Sequence, residues 1–446
     1  MKSKPASPAA AITGDPALRG KRILLAVGGG IAAYKAVEIM RLIQKAGASV
    51  QVMMTRSAQE FVRPLTFQTL SGNPVASDLF DLTEESQIGH IRLARDSDLI
   101  LVAPATANRI ARAAWGFADD LLSTVLAAAT VPVVMAPAMN VEMWNHLATQ
   151  ANCRTLESRG IILVSPGSGD LACGETGTGR LAEPDAIVEA VASSLTAKPL
   201  KGVRVLVTAG PTREAIDPVR FLSNRSSGKM GYAMAQMAAR HGAEVTLVSG
   251  PVAIPPPAGV KLVQTTTAAE MHEAVMAGFL SADIVVKAAA VSDYRPAEPA
   301  RRKLKRREKE MPVIDLEPTT DILKAIGAAK RDQYLVGFAA ETHDLADYAR
   351  AKLREKNLDL LVANDVSRSD AGFDTDTNAV TLFSPDGKVE ELPFGSKLEV
   401  AAGIWQRILR HYQKPASRQQ AKPDAPARSK PPVSRRPVSG RRRNRS

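Results

Sequence analysis

Two stretches of the chain share one pattern of apolar and polar positions. Residues 18–29 (LRGKRILLAVGG) and 200–212 (LKGVRVLVTAGPT) each carry a basic residue and a glycine, continue as an aliphatic run and break at glycine. An aliphatic run that ends in a glycine turn is typical of a buried parallel strand. The same kind of unit therefore begins twice.

A helical pattern follows each turn, and a second strand follows each helix. The helices are predicted at residues 31–47 and 230–243, and the strands at SVQVMMT and EVTLVSG. Strand, glycine turn, helix, strand opens a doubly wound sheet, in which ligands bind outside the carboxyl ends of the strands. We predict two doubly wound, Rossmann-like α/β domains. Common fold logic explains this weak repeat as well as a duplication does.

Charge divides the chain further. The formal net charge is +12, of which residues 414–446 carry +10, from eleven Lys or Arg and one Asp. This tail has too few apolar residues to form a core, so we predict that it is disordered. A solvated tail is favoured over a nucleic-acid or membrane tether. The predicted organisation is a disordered leader at 1–18, domains at 19–199 and 200–413, and the tail at 414–446.

Cysteine usage and hydropathy bear on the compartment. Cys153 and Cys173 are the only cysteines, which is too few for a disulfide framework and indicates a reducing cytoplasm. The leader is broken by three prolines and is not a convincing signal peptide. Residues 121–139 are uncharged but contain two prolines, so a buried helix followed by a buried strand is favoured over a membrane span.

Small and hydroxyl residues follow the predicted strands of the first half. The strand DLILVAP runs into Ala105, Thr106 and Asn108, while Ser123 and Thr124 stand near the next helix start. In such turns, backbone amides can approach a phosphate or a ring closely. Each residue alone is more often an ordinary turn or cap, but the set is more specific.

Two further positions of the first half can carry chemistry. Asn140 follows the strand VPVVMAP beside methionine and tryptophan, and it can donate to a carboxylate or simply cap a helix. Residues 165–184 contain five glycines and are predicted to form a long flexible flap that carries Cys173. A thiol on a flap is placed for reaction, whereas Cys153 lies in a helical pattern and is interpreted as structural.

These motifs resemble the flavin-dependent phosphopantothenoylcysteine decarboxylase family. The segments GGGIAAYK, GHIRLA, APATAN, APAMNVEMW and LACGETGTGR stand in that family's order over roughly residues 21–197. The resemblance implies FMN, which oxidises the thiol side of the substrate to a thioaldehyde so that carbon dioxide leaves, and then reduces the protonated enethiolate back.

The resemblance also implies roles for individual residues. His90 would act as acid or base, Asn140 would hold the carboxylate and Cys173 would donate a proton. The implied flavin contacts are Gly29, Gly30, Ile31, Ala32, Thr55, Ala105, Thr106, Asn108, Ser123 and Thr124.

An anion site is predicted at the glycine turn of the second half. The run Ser226, Ser227, Gly228, Lys229 directly precedes a helix, whose free amides and dipole favour a negative ligand. Its spacing is not that of a Walker motif, and an ordinary N-cap explains the run equally well.

A second charged feature follows the strand that ends at Asp293. Residues 301–310 contain seven basic and two acidic residues. Such a run is either a solvated face or a lid over a triphosphate, with Asp293 on the magnesium side.

The second half resembles the phosphopantothenate-cysteine ligase family over roughly residues 201–410. The matching segments are TAGPTREAIDPVRFLSNRSSGKMG, AAAVSDYRP, KLKR, GFAAET and NLDLLVANDV, whereas EPTTDIL departs from the family's Asn-Pro-Asp-Ile-like turn. The resemblance implies CTP, Mg²⁺ and an acyl-cytidylate that the cysteine amine attacks.

This second resemblance implies site residues as well. Arg220, Asn224 and Lys303 would be catalytic, with Arg220, Asn224 and Ala290 holding the acyl-cytidylate and Asp293 binding the metal. The implied nucleotide contacts are Ala290, Asp293, Lys303, Thr319, Thr320, Asp321, Ile322, Phe338, Lys352 and Lys356.

Together the resemblances imply two successive steps of coenzyme A synthesis in one chain. CTP-dependent ligation of cysteine to 4'-phosphopantothenate would be followed by FMN-dependent decarboxylation to 4'-phosphopantetheine. They also imply a homo-oligomer with trimeric decarboxylase and dimeric ligase contacts, and a dodecamer as the whole. The alternative is a non-catalytic flavin-binding regulatory protein, against which the joint presence of His90, Asn140 and Cys173 argues. A nucleic-acid partner rests on the tail alone, and no membrane partner is expected.

Overall fold

The computed structural model describes residues 14–79, 89–170, 176–304, 313–341, 345–365 and 375–412. Cys173, most of the basic run at 301–310, most of the predicted leader and the predicted tail lie outside the described residues.

The first half contains eight helices and eight strands among the described residues. Its strands are β1 (Arg22–Val27), β2 (Ser49–Met54), β3 (Val75–Ala76), β4 (Leu99–Ala105), β5 (Val133–Pro137), β6 (Ile162–Leu163), β7 (Gly167–Asp170) and β8 (Thr176–Arg180). Its helices are α1 (Lys35–Lys45), α2 (Pro64–Ser71), α3 (Gly89–Arg95), α4 (Ala107–Trp115), α5 (Leu121–Ala127), α6 (Val141–Asn145), α7 (Leu147–Ser158) and α8 (Pro184–Leu195).

Six of these strands form one sheet in the order β3-β2-β1-β4-β5-β6, and every pair in it is parallel. Alternate residues of β1 face opposite sides: Leu25 packs in a core with α1 and α8, while Leu24 packs in a core with α4 and α7. Both faces are thus covered by helices, which explains why β1 is aliphatic at every position from Ile23 to Val27 instead of alternating with polar residues.

The second half contains five helices and fourteen strands among the described residues. Its strands are β9 (Arg204–Ala209), β10 (Arg213–Ala215), β11 (Phe221–Ser223), β12 (Glu244–Ser249), β13 (Lys261–Gln264), β14 (Ile284–Lys287), β15 (Tyr294–Pro296), β16 (Leu316–Pro318), β17 (Tyr334–Glu341), β18 (Leu360–Asp365), β19 (Thr377–Asn378), β20 (Val380–Phe383), β21 (Val389–Glu391) and β22 (Gly395–Ser396). Its helices are α9 (Lys229–Arg240), α10 (Ala268–Phe279), α11 (Ile322–Ala329), α12 (Leu345–Glu355) and α13 (Lys397–His411).

The large sheet of this half runs β13-β12-β9-β14-β17-β18-β20-β21. Its pairs are parallel up to β18, after which the hairpin β20–β21 adds antiparallel strands. Helices α9 and α13 cover one face, where Trp405 is fully buried and donates from Nε1 to the Met234 carbonyl at 2.9 Å. Helices α10 and α11 cover the other face. The predicted doubly wound α/β class is confirmed in both halves.

Three local predictions differ from the structure. The helix expected from residue 31 begins as a 3₁₀ turn at Ile31–Tyr34 before α1. The glycine-rich flap contains an antiparallel pair, β7 with β8, whose register shifts between Gly167 and Ser168, because glycine disfavours a helix but permits an extended hairpin. The leader was expected to extend to residue 18, but Leu18 is fully buried in the core of the first half, so the packed part of the chain begins earlier.

The uncharged segment at 121–139 forms α5 followed by β5, as predicted. Among the described residues, no helix combines the length and the apolar character needed to cross a membrane.

Candidate functional site

A cavity of about 620 Å³ lies at the carboxyl ends of β1, β4 and β5. That is the edge at which a doubly wound sheet binds its ligands, and the volume is in the range of small-molecule sites. The predicted residues that line it are Gly29, Gly30, Ile31, Ala32, Thr106 and Asn140. The structure therefore brings together residues from three separate motifs of the first half.

Helix caps hold the polar groups of this first cavity in place. Thr106 is the N-cap of α4, and Asn140 is the N-cap of α6, where its Oδ1 accepts from the Glu142 amide at 2.8 Å. Asn140 is thus both a cap and a cavity residue, which were alternatives at the level of the sequence. The capping bond fixes the orientation of the Asn140 side chain at the cavity wall.

The hairpin β7–β8 closes one side of the first cavity. The Gly179 carbonyl accepts from the Met139 amide at 2.9 Å, and a Cβ on Gly179 would lie 2.4 Å from the Met139 carbonyl oxygen. Only glycine permits this approach, so β8 can lie directly on the segment that carries Asn140.

Cationic residues of the first cavity were missed by the sequence analysis. Lys35 and Arg180 line it, and each lies 3.7 Å from a carboxylate oxygen of Glu183. Lys35 is the last residue of the motif GGGIAAYK, and its positive charge beside a glycine turn was a signal in the sequence for a ligand-binding residue. Tyr34 and Gly179, which also line the cavity, carried no comparable signal.

Six predicted residues of the first half are not among those that line this cavity, namely His90, Thr55, Ala105, Asn108, Ser123 and Thr124. Thr55 caps the 3₁₀ turn Arg56–Glu60, and Ser123 donates to Asp120 Oδ1 at 2.7 Å. Thr124 donates to the Asp120 carbonyl at 2.8 Å. These contacts are structural, and a role of the six residues toward flavin or substrate stays a prediction. Cys173 lies outside the described residues, whereas Cys153 is buried in α7, where burial raises the pKa of its thiol.

Two adjoining cavities, of about 460 and 130 Å³, lie at the carboxyl end of β14 in the second half. They share Lys287, Val291, Asp293, Phe338 and Lys352 as walls. The larger one is also lined by Asn224 and Ala290, and the smaller one by Thr319, Thr320, Asp321, Ile322 and Lys356. These two cavities therefore collect most of the residues predicted to contact a nucleotide.

The predicted anion turn forms one wall of the larger cavity. Ser226, Ser227, Gly228 and Lys229 line it, and Gly228 is the N-cap of α9 with a left-handed φ of 76°. Because this N-cap has no side chain, α9 presents its first amides at the cavity edge without a capping group.

Hydrogen bonds fix the loop after β14, which forms part of the wall of both cavities. Asn224 donates from Nδ2 to the carbonyls of Ala290 and Val291, at 3.3 and 3.0 Å. Thr319 donates to the Ser292 carbonyl at 2.6 Å. On the far wall, Asp321 caps α11 and binds Lys356 Nζ at 2.8 Å; although burial acts in the opposite direction, this contact lowers the pKa of the aspartate. The 319–322 turn is in the cavity wall although its sequence departs from the expected pattern.

Lys287 is a site residue that the sequence analysis missed. It is the last residue of β14, and its side chain borders both cavities. Burial, reinforced by the nearby Lys352, lowers the pKa of Lys287 to about 8, although Asp321 and Asp293 act in the opposite direction. A single lysine at the end of the aliphatic run DIVVK was the available signal.

Arg220 and Lys303 do not line either cavity. Arg220 forms an ion pair with the buried Asp217, and Lys303 is exposed to solvent. Within the described ranges there is no group of three His, Cys, Asp or Glu side chains that could hold a metal ion. A metal at Asp293 would need ligands from a substrate, which is how Mg²⁺ is commonly held beside phosphates.

The two parallel sheets, each with a ligand-sized cavity at its carboxyl edge, define a two-site α/β protein. Its first half matches the flavoprotein family model over residues 14–196. Its second half matches the model of the DNA/pantothenate metabolism flavoprotein C-terminal domain over residues 200–412.

Curated relatives match both halves together. The coenzyme A biosynthesis bifunctional protein CoaBC of Bacillus subtilis is 50% identical over 395 residues, covering 88% of this chain and 97% of the relative. The protein of the same name from Escherichia coli K12 is 46% identical over 399 residues, covering 89% and 98%. The chain belongs to the family of coenzyme A biosynthesis bifunctional proteins.

Solved structures resemble one half each. The C-terminal domain of a coenzyme A biosynthesis bifunctional protein is 49% identical and covers 48% of this chain and 97% of that chain, with a TM-score of 0.41. The FMN binding protein AtHal3 is 34% identical and covers 39% and 95%, with a TM-score of 0.35.

Family membership confirms the prediction of a bifunctional enzyme that acts in two steps of coenzyme A biosynthesis. It also confirms the flavoprotein character of the first half. The alternative of a non-catalytic regulatory protein is not favoured.

Proposed function

We propose that the second half uses CTP and Mg²⁺ to join cysteine to 4'-phosphopantothenate and that the first half uses FMN to decarboxylate the product. The observation that carries this proposal is the pair of separate sites, one apolar with amide and cationic groups and one lined by lysines beside a helix N-terminus. The two sites suit two different ligands, a flat ring system and a triphosphate.

The first cavity fits a flavin in size and chemistry. Ile31, Met139, Met143 and Leu181 supply apolar walls, and the turn at residues 29–32 supplies backbone amides. FMN bound there would supply the electron sink that lets a carboxylate leave as carbon dioxide. Asn140 would donate from its amide to the substrate carboxylate, and we assign the acid–base and proton-donor roles to His90 and Cys173.

The second pair of cavities fits a nucleoside triphosphate. The amides at the start of α9 and the ammonium groups of Lys287, Lys352 and Lys356 can bind phosphate oxygens, while Asp293 can bind Mg²⁺ together with them. Phe338 offers an apolar surface for the base. Thr319, Thr320, Asp321 and Ile322 complete the far wall.

The ligation proposed from the family resemblance has two steps. A carboxylate oxygen of 4'-phosphopantothenate attacks the α-phosphorus of CTP, and pyrophosphate leaves with the electron pair of the broken P–O bond. The cysteine amine then attacks the activated acyl carbon, releasing CMP and a proton. In this proposal Arg220, Asn224 and Ala290 hold the acyl-cytidylate, and Lys303 neutralises phosphate charge.

Product analysis by mass spectrometry tests both activities. Purified protein given 4'-phosphopantothenate, cysteine, CTP and Mg²⁺ is expected to form 4'-phosphopantetheine, and omission of CTP or addition of EDTA should stop the reaction before the cysteine adduct. When 4'-phosphopantothenoylcysteine is supplied directly, decarboxylation should proceed without CTP and in the presence of EDTA. Absence of the adduct from folded protein would refute the CTP-dependent ligation.

Matched variants connect the activities to the two sites. Asn140→Ala is expected to abolish decarboxylation and leave ligation intact, and Lys352→Met should weaken CTP binding and leave decarboxylation intact. Lys388→Met serves as the control, because Lys388 is exposed and pairs with Asp386 in a surface turn. Loss of both activities in Asn140→Ala would contradict the assignment of separate sites.

We further propose a division into two domains between residues 199 and 200, a cytoplasmic location and a homo-oligomer with trimeric and dimeric contacts. The dodecamer predicts a particle twelve times the 47.5 kDa of one chain, which light scattering would measure. A monomer or a simple dimer in solution would contradict it.

A further inference from the structure

The side chain of Asp217 is fully buried between two segments that are far apart along the chain. Oδ1 accepts from the backbone amides of Val219 and Arg220, at 2.8 and 2.9 Å. Oδ2 accepts from Arg220 Nε at 2.9 Å and Nη2 at 2.6 Å, and from the Leu304 amide at 3.1 Å. One carboxylate thus receives five hydrogen bonds.

These bonds join the β10–β11 connection to the segment that carries Lys303. Arg220 Nη2 also donates to the Leu304 carbonyl at 3.0 Å, and the Ala300 amide donates to the Ile216 carbonyl at 2.9 Å. Leu304 is 87 residues from Asp217 and directly follows Lys303. Asp217 therefore contacts Arg220 directly and anchors the backbone next to Lys303.

We propose that Asp217 is a positioning residue of the ligation reaction, which sets Arg220 and the Lys303 segment in one arrangement relative to each other. The inference rests on the proposed function, since it takes Arg220 and Lys303 as the groups that act on the acyl-cytidylate and the triphosphate. Asp217 touches neither ligand and acts through these two residues.

An ionised carboxylate is the group that this position requires. All five donors point at its two oxygens, and the arginine bonds are charge-assisted, which makes them stronger and more directional than neutral ones. Arg220 and the three backbone amides hold the pKa of Asp217 well below its usual range, so the charge persists throughout the physiological range. Asparagine has one acceptor oxygen and would turn an NH₂ donor toward the guanidinium or an amide.

Asp217→Asn tests the proposal, with Asp283→Asn as the matched control. Asp283 is also a buried aspartate of the second half that accepts from a backbone amide, that of Arg204 at 2.8 Å, but it lies at the amino end of β14. Two rates are measured in each full-length variant: formation of the cysteine adduct from CTP, and decarboxylation of supplied 4'-phosphopantothenoylcysteine. Asp217→Asn should slow ligation by about tenfold or more and leave decarboxylation within about twofold, whereas Asp283→Asn should alter neither by more than about twofold.

A double-mutant cycle separates positioning from general destabilisation. If Asp217 acts through Arg220 and Lys303, Asp217→Asn should lower the ligation rate by less than about twofold in a chain that already carries Arg220→Met and Lys303→Gln. A merely structural role would give the same fold-loss in both backgrounds. Additive losses, or normal ligation by Asp217→Asn, overturn the inference.

If Asp217→Asn loses decarboxylation as well as ligation, the variant to test is Asp217→Glu, because glutamate keeps the negative charge but displaces it by one methylene. Ligation should then fall by about fivefold or more, and normal ligation overturns the inference. If the wild-type protein forms no cysteine adduct, both the CTP-dependent function and this inference are refuted. If the wild type and the Asp217 variant ligate at the same rate, only this inference is refuted.

Discussion

The ammonium group of Lys287 lies where water is scarce, and Lys352 repels it. Within the described part of the chain its one hydrogen bond is to the Ala289 carbonyl, at 3.1 Å. An ammonium has three donors, so two remain for a ligand in the cavities that Lys287 borders. A phosphate would supply the acceptors and the opposite charge.

Lys287→Met is therefore expected to stabilise the ligand-free protein in a pH-dependent way. The pKa of about 8 lies below the ordinary value of 10.5, so the unfolded chain binds more protons between these two values. The wild type then gains stability as pH rises from 8 to 10.5, and the penalty is fully present below pH 8. The variant should be more stable by about 1–3 kcal/mol at pH 7, with the difference shrinking toward pH 10.

Urea denaturation at pH 7 and pH 9.5 measures this difference, with Lys388→Met as the exposed-lysine control. Addition of CTP should reverse the order of stability at pH 7, because only the wild type keeps the cationic contact. Equal stability of Lys287→Met and wild type at both pH values would show that the ammonium group is adequately solvated.

At the scale of an element, the turn between β11 and α9 depends on Gly228. Its φ is 76°, and a Cβ there would lie 2.7 Å from Val252 Cγ1 and 3.3 Å from Gly210 Cα. The turn is thus pressed against the neighbouring turn after β9. Both the backbone conformation and the packing exclude a side chain.

Gly228→Ala is expected to lower the free energy of unfolding by about 2–4 kcal/mol, through left-handed strain and the clash together. Gly259→Ala is the matched control, since Gly259 has a φ of 73° but no atom within 4 Å of the added Cβ, so it should cost only about 1 kcal/mol. Urea denaturation compares the two, and isothermal calorimetry should show weaker CTP binding by Gly228→Ala. An equal loss of unfolding free energy in the two variants would mean that the Val252 side chain moves away from the added methyl group without cost.

At the scale of the whole molecule, Arg240 links the two halves. Its side chain is 3% exposed; Nη2 lies 2.6 Å from Glu189 Oε2 on α8, and Nη1 lies 2.9 Å from Asp15 Oδ1 ahead of β1. Although burial opposes the charge, hydrogen bonds to Glu189 and Asp15 raise the pKa of Arg240 above its usual range. The guanidinium fork suits two carboxylates at once.

Arg240→Met should destabilise the protein by about 3–5 kcal/mol, because the carboxylates of Glu189 and Asp15 would lose their buried cationic partner. In contrast, Lys388→Met removes an exposed ion pair and should lower the free energy of unfolding by no more than about 0.5 kcal/mol. Urea denaturation measures both values. A cost for Arg240→Met as small as that of Lys388→Met would mean that water replaces the guanidinium between the halves.

Local sequence determined much of this protein. The aliphatic runs that become β1 and β9 stop at glycine, and that pattern alone predicted two doubly wound sheets and the edge at which both cavities lie. It also placed Asn140 and Asp293 directly after predicted strands, and both line cavities because the residues that follow a parallel strand lie at its carboxyl edge.

Only the tertiary structure decided which distant residues meet. Asp217 and Leu304 are 87 residues apart, and Asp15 and Arg240 are 225 apart, so no periodic pattern along the chain relates them. Thr55 and Ser123 instead make local contacts, with the Ala58 amide and with the capping Asp120, each three residues away, and neither lines the first cavity. Hydrophobic periodicity reports which face of an element is buried, whereas the partner of a charge depends on how elements distant along the chain are brought together.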